Sequence, residues 1–581
     1  MPTHSGTMRA RGSAVLLLAA GCARAPASAP PHAAPAVAAP VFVAPPSPTV
    51  RVKILGFNDF HGQLSSVVRD GRPLGGAPVL AAYLGAGLKL APERTFVVHA
   101  GDFVGASPPN SALLQDEPSV AWLNVLTDER CTDARRETEC PVIATLGNHE
   151  FDEGKSELLR LLRGGNHAAG PFLENPWHGA RYDVICANVL DAATGAPLFR
   201  PYALRRVDGV PIAFIGAVLR GAPDILSPDA ARGLTFTDEA DAVNAVVREL
   251  TPRGVHAFVV QIHQGDVEPR YEGPTMASAP APSGALDEIV SRLDDDVDLV
   301  VSGHAHRFTN ARLRNRNGKE LLVVQALSQG VAYDDVDLVL ERASGDVIAS
   351  SATIVPTFAD AGPGLAPDPA VAAIVAAADE RVAPVVSEVV GFAAADVTRE
   401  PTPAGESALG DLVAEAARAA LHADFGLTNP GGLRANLPAG KLTRGDVLTA
   451  QPFGNRLVAV TLSGVELTAL LEQQWGAGQP STGRVLQIAG FGYTWDARAE
   501  PGRRVVELHD ARHRKLDAKK RYRVAVSSFL VEGGDGFTEL RALAPERAAG
   551  AAETDADALV AFLKSLPQPF VAKTDGRILK R

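Results

Sequence analysis

The chain has 581 residues, of which 46% are hydrophobic and 21% are charged. This length predicts about two to four domains, and the composition is typical of a globular protein, which excludes a fibrous or wholly disordered chain. The formal net charge of −11 at pH 7 argues against electrostatic capture of DNA or RNA. Small substrates that carry phosphate stay open, because a bound metal ion can reverse the local charge.

The first 22 residues have the pattern of an export signal. Arg9 and Arg11 precede an apolar run at 14–20, which is shorter than the ~20 residues that a membrane-spanning helix needs. The run ends in small residues before Cys22, which resembles the lipobox of bacterial lipoproteins; an ordinary cleaved signal peptide is the alternative. We therefore expect an exported protein, in the periplasm or at the outer surface, anchored through a lipid on Cys22. Residues 23–49 are rich in Ala and Pro and predict a solvated tether.

Five apolar segments beyond residue 50 predict buried strands that end in polar residues. They are VKILGFNDFHG (52–62), TFVVHAGD (95–102), VIATLGNHEFD (142–152), AFVVQIHQGD (257–266) and VDLVVSGHAHR (297–307). Segments with helical content lie between them, at 78–90, 157–163 and 238–250. Buried strands that alternate with helices predict an α/β protein, in which functional groups gather at the carboxyl ends of the strands.

The ends of these strands carry side chains that could bind metal ions. They are Asp59, His61, Asp102, Asn148, His149, His263, His304 and His306. A single histidine at a strand end is usually a hydrogen-bonded core residue, but this concentration of donors indicates a metal site. Imidazole, carboxylate and amide oxygen without thiolate suit Zn, Mn, Fe or Co. Because one ion needs fewer donors, we predict two divalent ions, about 3.5–4 Å apart, that clamp a phosphate and activate a water.

The order of these blocks, DxH, GD, GNHE, a lone strand-end His and GHxH, resembles the calcineurin-like metallophosphoesterases over about residues 50–350. The resemblance implies two groups of ligands joined by a bridging carboxylate. One ion would be held by Asp59, His61 and His306, the other by Asn148, His263 and His304, with Asp102 bridging both. It also implies that His149 is the catalytic histidine and that Asp152 orients its imidazole.

The second half of the chain predicts a connecting helix and a further α/β domain. The helix is expected at 367–390, and an amphipathic helix, ESALGDLVAEAARAALHAD, follows at 406–424. Together with this helix, the segments TNPGGLRA (428–435), QPFGN (451–455) and SSFLVEGGDGF (527–537) resemble the C-terminal domain of 5′-nucleotidases and UDP-sugar hydrolases.

The resemblance divides the chain into a phosphoesterase domain at 50–358, a linker with a helix at 359–390 and a substrate-recognition domain at 391–575. The expected fold class is α/β, with an N-terminal metallophosphoesterase β-sandwich flanked by helices and an α/β C-terminal domain.

The resemblance further implies a set of nucleotide-binding side chains. Phe453 and Phe529 would stack on the base, Asn429 would contact its edge, Asp535 would accept from the ribose hydroxyls, and Arg434 would bind the phosphate. For each phenylalanine, core packing is the alternative. Where several relatives carry a second phosphate-binding arginine, this chain has Gly405, and Arg399 lies six residues earlier. Monophosphates, cyclic phosphates, diphosphates and UDP-sugars therefore all stay open as substrates.

These patterns predict an exported two-metal phosphohydrolase of the 5′-nucleotidase type that acts on small nucleotides, with no nucleic acid polymer as partner. The alternatives are a 2′,3′-cyclic-nucleotide 2′-phosphodiesterase with 3′-nucleotidase activity and, in another class, a catalytically decayed surface lipoprotein that binds nucleotides. The nine-residue spacing of Cys131 and Cys140 favours a loop-closing disulfide in an oxidising compartment, and two free loop thiols are the alternative. Cys186 lies in a predicted buried strand, YDVICANV, and is expected to be inert.

Overall fold

The computed structural model describes residues 47–581, apart from residues 70, 267–283, 361–365, 477–478, 480–482 and 548. The predicted export signal, Cys22 and most of the predicted tether therefore lie outside the described residues. No helix in the described part of the chain is long and apolar enough to cross a membrane.

The N-terminal half is built on two six-stranded sheets. The first contains, in spatial order, Val347–Pro356, Ala332–Glu341, Thr49–Phe57, Thr95–His99, Val142–Ala144 and Asp183–Val184. The second contains Phe308–Arg314, Glu320–Ala326, Val297–Ser302, Phe258–His263, Val210–Val218 and Tyr202–Val207. Within each sheet the strands that carry the predicted ligands are parallel to one another, such as Thr49–Phe57 beside Thr95–His99, whereas the other neighbour of Thr49–Phe57, Ala332–Glu341, is antiparallel to it. The carboxyl ends of the parallel strands therefore meet at one edge.

The two sheets pack face to face as a sandwich, and helices cover both outer surfaces. Ile54 and Val98 of the first sheet and Phe214 and Val301 of the second share one buried apolar cluster between the sheets. The larger covering helices are Ala77–Leu90, Glu117–Asn124, Gly154–Arg163, Glu239–Leu250 and Ala285–Ser291. This arrangement confirms the predicted α/β class.

The predicted connecting helix is present at Pro369–Val386. It begins where the Asp368 side chain accepts hydrogen bonds from the backbone N–H groups of Ala370 and Val371. Its buried face, which includes Val371 and Val382, packs into the apolar cluster that covers the outside of the first sheet. The helix is therefore fixed to the N-terminal half of the protein.

The C-terminal half is a second α/β arrangement. Its five-stranded sheet contains, in spatial order, Gln487–Ala489, Phe425–Thr428, Arg521–Ser527, Arg456–Ser463 and Ala549–Thr554. A three-stranded sheet contains Val505–Asp510, Phe491–Trp495 and Ile578–Lys580. Helices include Ala408–Ala420, Arg444–Ala450, Gly464–Glu472, Ser528–Val531, Thr538–Arg547 and Asp555–Ser565. The amphipathic helix predicted at 406–424 is thus present over a shorter range.

The cysteine predictions had different outcomes. Cys131 and Cys140 form the predicted disulfide, and Cys186 is buried with a free thiol. The strand predicted around Cys186 is wrong beyond its first residues, because the strand covers only Asp183–Val184. Next to it, the Asn188 side chain pairs with both the N–H and the C=O of Val218, so a side chain takes the place of ladder hydrogen bonds.

Candidate functional site

The structure brings the predicted metal ligands to the carboxyl-end edge of the sandwich. Five of them have left-handed backbone conformations, with φ values between 48° and 70°: Asp59, His61, Asp102, His304 and His306. Such conformations are strained for residues other than glycine, and strain of this kind clusters at functional sites. The chain therefore leaves three of the five ligand-bearing strands in an unfavourable turn that brings ligand-type side chains together.

The first ligand group consists of Asp59, His61 and His306, whose donor atoms all lie within 4.8 Å of one another. The His61 Nδ1–H donates to the backbone carbonyl of Gly105 at 2.9 Å, which leaves a lone pair on Nε2. That Nε2 faces the Nε2 of His306 at 3.0 Å, and His306 Nε2 lies 3.2 Å from an Asp59 carboxylate oxygen. Nitrogen lone pairs and a carboxylate that face each other repel, and a cation bound between them would remove that repulsion.

The second group consists of Asp102, His263 and His304, again with donor atoms within 4.8 Å of one another. The His263 Nδ1–H donates to the carbonyl of Ala100 at 2.8 Å, so that its Nε2 faces an Asp102 carboxylate oxygen at 3.0 Å. The buried side-chain oxygen of Asn148 has no hydrogen-bond partner within the described residues. An amide oxygen left without a donor fits a metal ligand, because burial without a partner is costly.

Burial and neighbouring charges shift the pKa values of the ligand side chains in opposite directions. Burial alone lowers the pKa of His263, but the negative charge of Asp102 outweighs it and raises this pKa to about 9. Burial and the positive charge of His263 lower the pKa of His304 to about 4. Burial would raise the pKa of Asp59, yet the neighbouring His306 outweighs it and lowers this pKa to about 2. Buried carboxylates in this centre therefore need compensating cations, a role that divalent ions fill.

His149 and Asp152 form the predicted pair. The His149 Nδ1–H lies 2.7 Å from an Asp152 carboxylate oxygen, and the backbone N–H of His149 donates to Asp102 at 2.8 Å. Burial lowers the pKa of His149, but the negative charges of Asp152 and Asp102 outweigh it, and the net pKa is raised. The imidazole is thereby suited to carry a proton. The donor atoms of His61, Asp102 and His149 also lie within 4.8 Å of one another, so geometry by itself admits His149 as a ligand.

Glu150 is a residue whose contribution the sequence analysis missed. Its buried carboxylate accepts backbone N–H groups from Asp102 at 2.9 Å, Phe103 at 2.7 Å, Val104 at 3.5 Å and Gly147 at 2.5 Å. Glu150 thus ties the loop that carries Asp102 to the loop that carries Asn148 and His149. The glutamate of the GNHE block was the available signal, but nothing in the sequence shows these backbone partners.

The predicted nucleotide-binding residues line the same cleft, which has a volume of about 1170 Å³. The Asn429 side-chain N–H donates to Asp535 at 2.8 Å. The Phe529 ring covers Gly534, where any side-chain carbon would lie only 2.4 Å from that ring. The Phe453 ring lies nearly parallel to the His149 imidazole, with centroids 5.8 Å apart and planes at 18°. The two halves of the chain therefore meet at this cleft.

The structure explains why Gly405 stands where several relatives carry a second phosphate-binding arginine. This glycine has φ 98°, and a Cβ there would lie 2.6 Å from the Val485 side chain, so an arginine is excluded by the local backbone. Arg399 lines the cleft instead and donates to the carbonyl of Leu433 at 2.9 Å. Burial lowers the pKa of Arg434, and the positive charge of Arg399 acts in the same direction. Two guanidinium groups are thus neighbours on the C-terminal wall.

Comparisons with known proteins agree with this geometry. The family model described as calcineurin-like phosphoesterase matches residues 52–308, and that described as 5′-nucleotidase, C-terminal domain, matches residues 386–542. The chain is 33% identical to endonuclease YhcR of Bacillus subtilis over 92% of its length, and 31% identical to cell wall protein Lmo0130 of Listeria monocytogenes over 85%. It spans only 41% and 64% of the lengths of these two relatives.

A solved structure extends the similarity to the whole architecture. The crystal structure of a 5′-nucleotidase precursor from Thermus thermophilus aligns with a TM-score of 0.73 and 27% sequence identity. The alignment covers 91% of this chain and 99% of that one. The combination of the two halves is therefore shared, as well as each half alone.

Proposed function

Because the chain belongs to the family that joins a calcineurin-like phosphoesterase domain to a 5′-nucleotidase C-terminal domain, we propose that it hydrolyses phosphate esters of nucleotides. The observation that carries this proposal is the single cleft that is lined both by five of the seven predicted metal ligands and by the predicted nucleotide-binding side chains. A substrate with phosphate at one end and a base at the other fits such a cleft, because the acidic and imidazole groups lie on one wall and the aromatic and guanidinium groups on the other.

We assign the divalent cations that the family implies to the two groups described above. Asp59, His61 and His306 would hold one ion, and Asn148, His263 and His304 the other, with Asp102 between them. We propose Zn, Mn, Co or Fe on the basis of these nitrogen and oxygen donors. When bound, such ions lower the pKa of an attacking water and neutralise charge on the phosphoryl group.

The remaining side chains would position the substrate and handle its proton. Arg434, with Arg399 beside it, would bind the substrate phosphate from the C-terminal wall. His149, whose Nδ1–H is held by Asp152, would present Nε2–H to the leaving oxygen. Phe453 and Phe529 would hold the base, Asn429 would contact its edge, and Asp535 would accept from the ribose hydroxyls. The chemistry and the recognition would thus come from different halves of the chain.

We further propose an extracellular or cell-envelope location. The similarity to a Listeria cell wall protein supports it, as does the predicted export signal. The disulfide between Cys131 and Cys140 is consistent with an oxidising compartment. Lipid attachment at Cys22 stays a prediction.

A phosphate-release screen tests the proposal. The protein is stripped of metal, supplied with Mn, Zn or Co, and assayed on nucleoside 5′-mono-, di- and 2′,3′-cyclic phosphates and on UDP-glucose. We expect metal-dependent release from at least one 5′-nucleotide, and preference for the cyclic phosphates would instead identify the phosphodiesterase alternative. Asp102→Asn should abolish release, whereas Asp133→Asn, at a side chain 96% exposed, is the matched control and should retain it. Tight nucleotide binding without hydrolysis under every metal would favour the decayed binding protein.

A further inference from the structure

His149 is held by the N-terminal half on most sides. Asp152 fixes its Nδ1, Asp102 accepts from its backbone N–H, and the His61 ring meets it edge-on with centroids 5.1 Å apart and planes at 75°. These contacts leave one face of the imidazole to be covered by something else. The bond to Asp152 holds the ring at one edge only, and the torsion about its bond to Cβ has broad minima, so a contact on the open face would narrow the remaining range of ring orientations.

The covering group comes from the C-terminal half. Phe453 lies in the loop between the helix Arg444–Ala450 and the strand Arg456–Ser463, and its half-buried ring stacks on His149 at 5.8 Å. The Arg434 guanidinium carbon lies 5.9 Å from the centroid of the same ring. Phe529, the other predicted stacking residue, makes no ring contact with His149 in the part of the chain that the structure describes. The two phenylalanines therefore have different surroundings.

We propose that Phe453 is a positioning residue for His149, in addition to any contact that it makes with a base. A flat ring laid against the imidazole limits its rotation and excludes water from that face. The direction of Nε2 then depends on the C-terminal half being in place, so the predicted recognition domain also prepares the reacting group. Since a phenyl ring has only two faces and the imidazole takes one, at most one face stays available to a base.

This inference rests on the proposed phosphohydrolase function, and its test uses substrates that differ only in the base. AMP and ribose 5-phosphate have the same phosphate ester and the same leaving oxygen, but ribose 5-phosphate has nothing to stack on a phenylalanine. The full chain, reconstituted with Mn, is compared as wild type, Phe453→Leu and Phe453→Tyr. Phe392→Leu, the same change at a phenylalanine 47% exposed in the strand Val389–Ala393, is the control.

On ribose 5-phosphate, Phe453→Leu should lower kcat by roughly 2- to 12-fold, the range set by the loss of one aromatic pair, with little change in KM. Phe453→Tyr keeps the ring and should restore kcat to within about twofold of wild type. Metal content should not change, and Phe392→Leu should match the wild type.

Several results would overturn the inference. Unchanged kcat of Phe453→Leu on ribose 5-phosphate, together with a loss on AMP, would mean that Phe453 contacts only the base. Equal losses for the Leu and Tyr variants, or loss of bound metal, would mean that the residue supports the fold. A wild-type protein that releases phosphate from neither of these substrates nor from any nucleotide of the screen, with every metal, would overturn the proposed function and this inference with it.

Discussion

Glu150→Gln should lower the stability and the metal affinity of the predicted metal site without removing any predicted metal ligand. A glutamine keeps one oxygen acceptor and presents an N–H donor group where the second carboxylate oxygen was. The least costly orientation keeps the oxygen toward the N–H groups of Asp102 and Gly147, at 2.9 and 2.5 Å, and turns the amide nitrogen toward Phe103 and Val104. Burial and the negative charge of Asp102 raise the pKa of Glu150 to about 7, so the variants are compared above that pH, where the carboxylate is charged. Since hydrogen bonds to a charged acceptor contribute about 1.5–3 kcal/mol each and the bond to Val104 is long, we expect a loss of about 2–4 kcal/mol there.

The assay combines thermal unfolding, metal analysis and phosphate release. With an unfolding entropy of about 2.1 cal/mol/K per residue, the expected loss lowers the unfolding midpoint of an N-terminal half of about 300 residues by roughly 3–6 °C. Because Glu150 supports Asp102 and the loop of Asn148 and His149, metal affinity or activity should fall about 10- to 100-fold, as is usual for residues that hold ligands in place. Higher metal concentration should recover part of the activity.

The matched control is Glu137→Gln, whose side chain is 64% exposed. It should leave the unfolding midpoint, metal content and activity at their wild-type values. If Glu150→Gln behaves like this control, the carboxylate does not organise the two loops, and the assignment of Glu150 is wrong.

Three further predictions follow from individual side chains. His149→Ala should lower kcat by roughly 10²–10⁴-fold while metal analysis shows wild-type stoichiometry, and loss of metal would instead make His149 a ligand. Phe529→Ala should raise the activation free energy that kcat/KM reports for AMP by about 1–3 kcal/mol. The fall in kcat/KM should be at least several-fold smaller for ribose 5-phosphate, and equal falls for the two substrates would indicate a structural role. Asp334 is fully buried, and its carboxylate oxygens have no hydrogen-bond partner within the described residues. Burial raises its pKa well above the ordinary value, so the folded protein favours the neutral form and should lose up to about 1.4 kcal/mol of stability per pH unit as pH rises above ~4. Asp334→Asn should remove that dependence, giving an unfolding midpoint close to wild type near pH 4 and higher near pH 8. If the difference in unfolding midpoint between Asp334→Asn and the wild type is the same at every pH, Asp334 is not neutral in the folded protein.

The sequence predicted the ligand positions because each apolar strand ends in a polar side chain, and parallel strands bring such ends together. The same reasoning could not find the role of Glu150, since its partners are backbone N–H groups on a separate loop. The sequence also could not show that position 405 requires glycine, because the backbone there has a positive φ and packs against the Val485 side chain. The contact between Phe453 and His149 depends on how the two halves of the chain meet, which no local pattern records.

The central claim is that one cleft joins a two-metal centre to a nucleotide pocket. The most direct measurement is anomalous diffraction from crystals grown with Mn and a non-hydrolysable AMP analogue. We predict two anomalous peaks about 3.5–4 Å apart on either side of Asp102, one beside Asp59 and the other beside His263, with the analogue's phosphate next to both. A single peak, peaks away from these side chains, or an analogue bound outside the cleft would contradict the account.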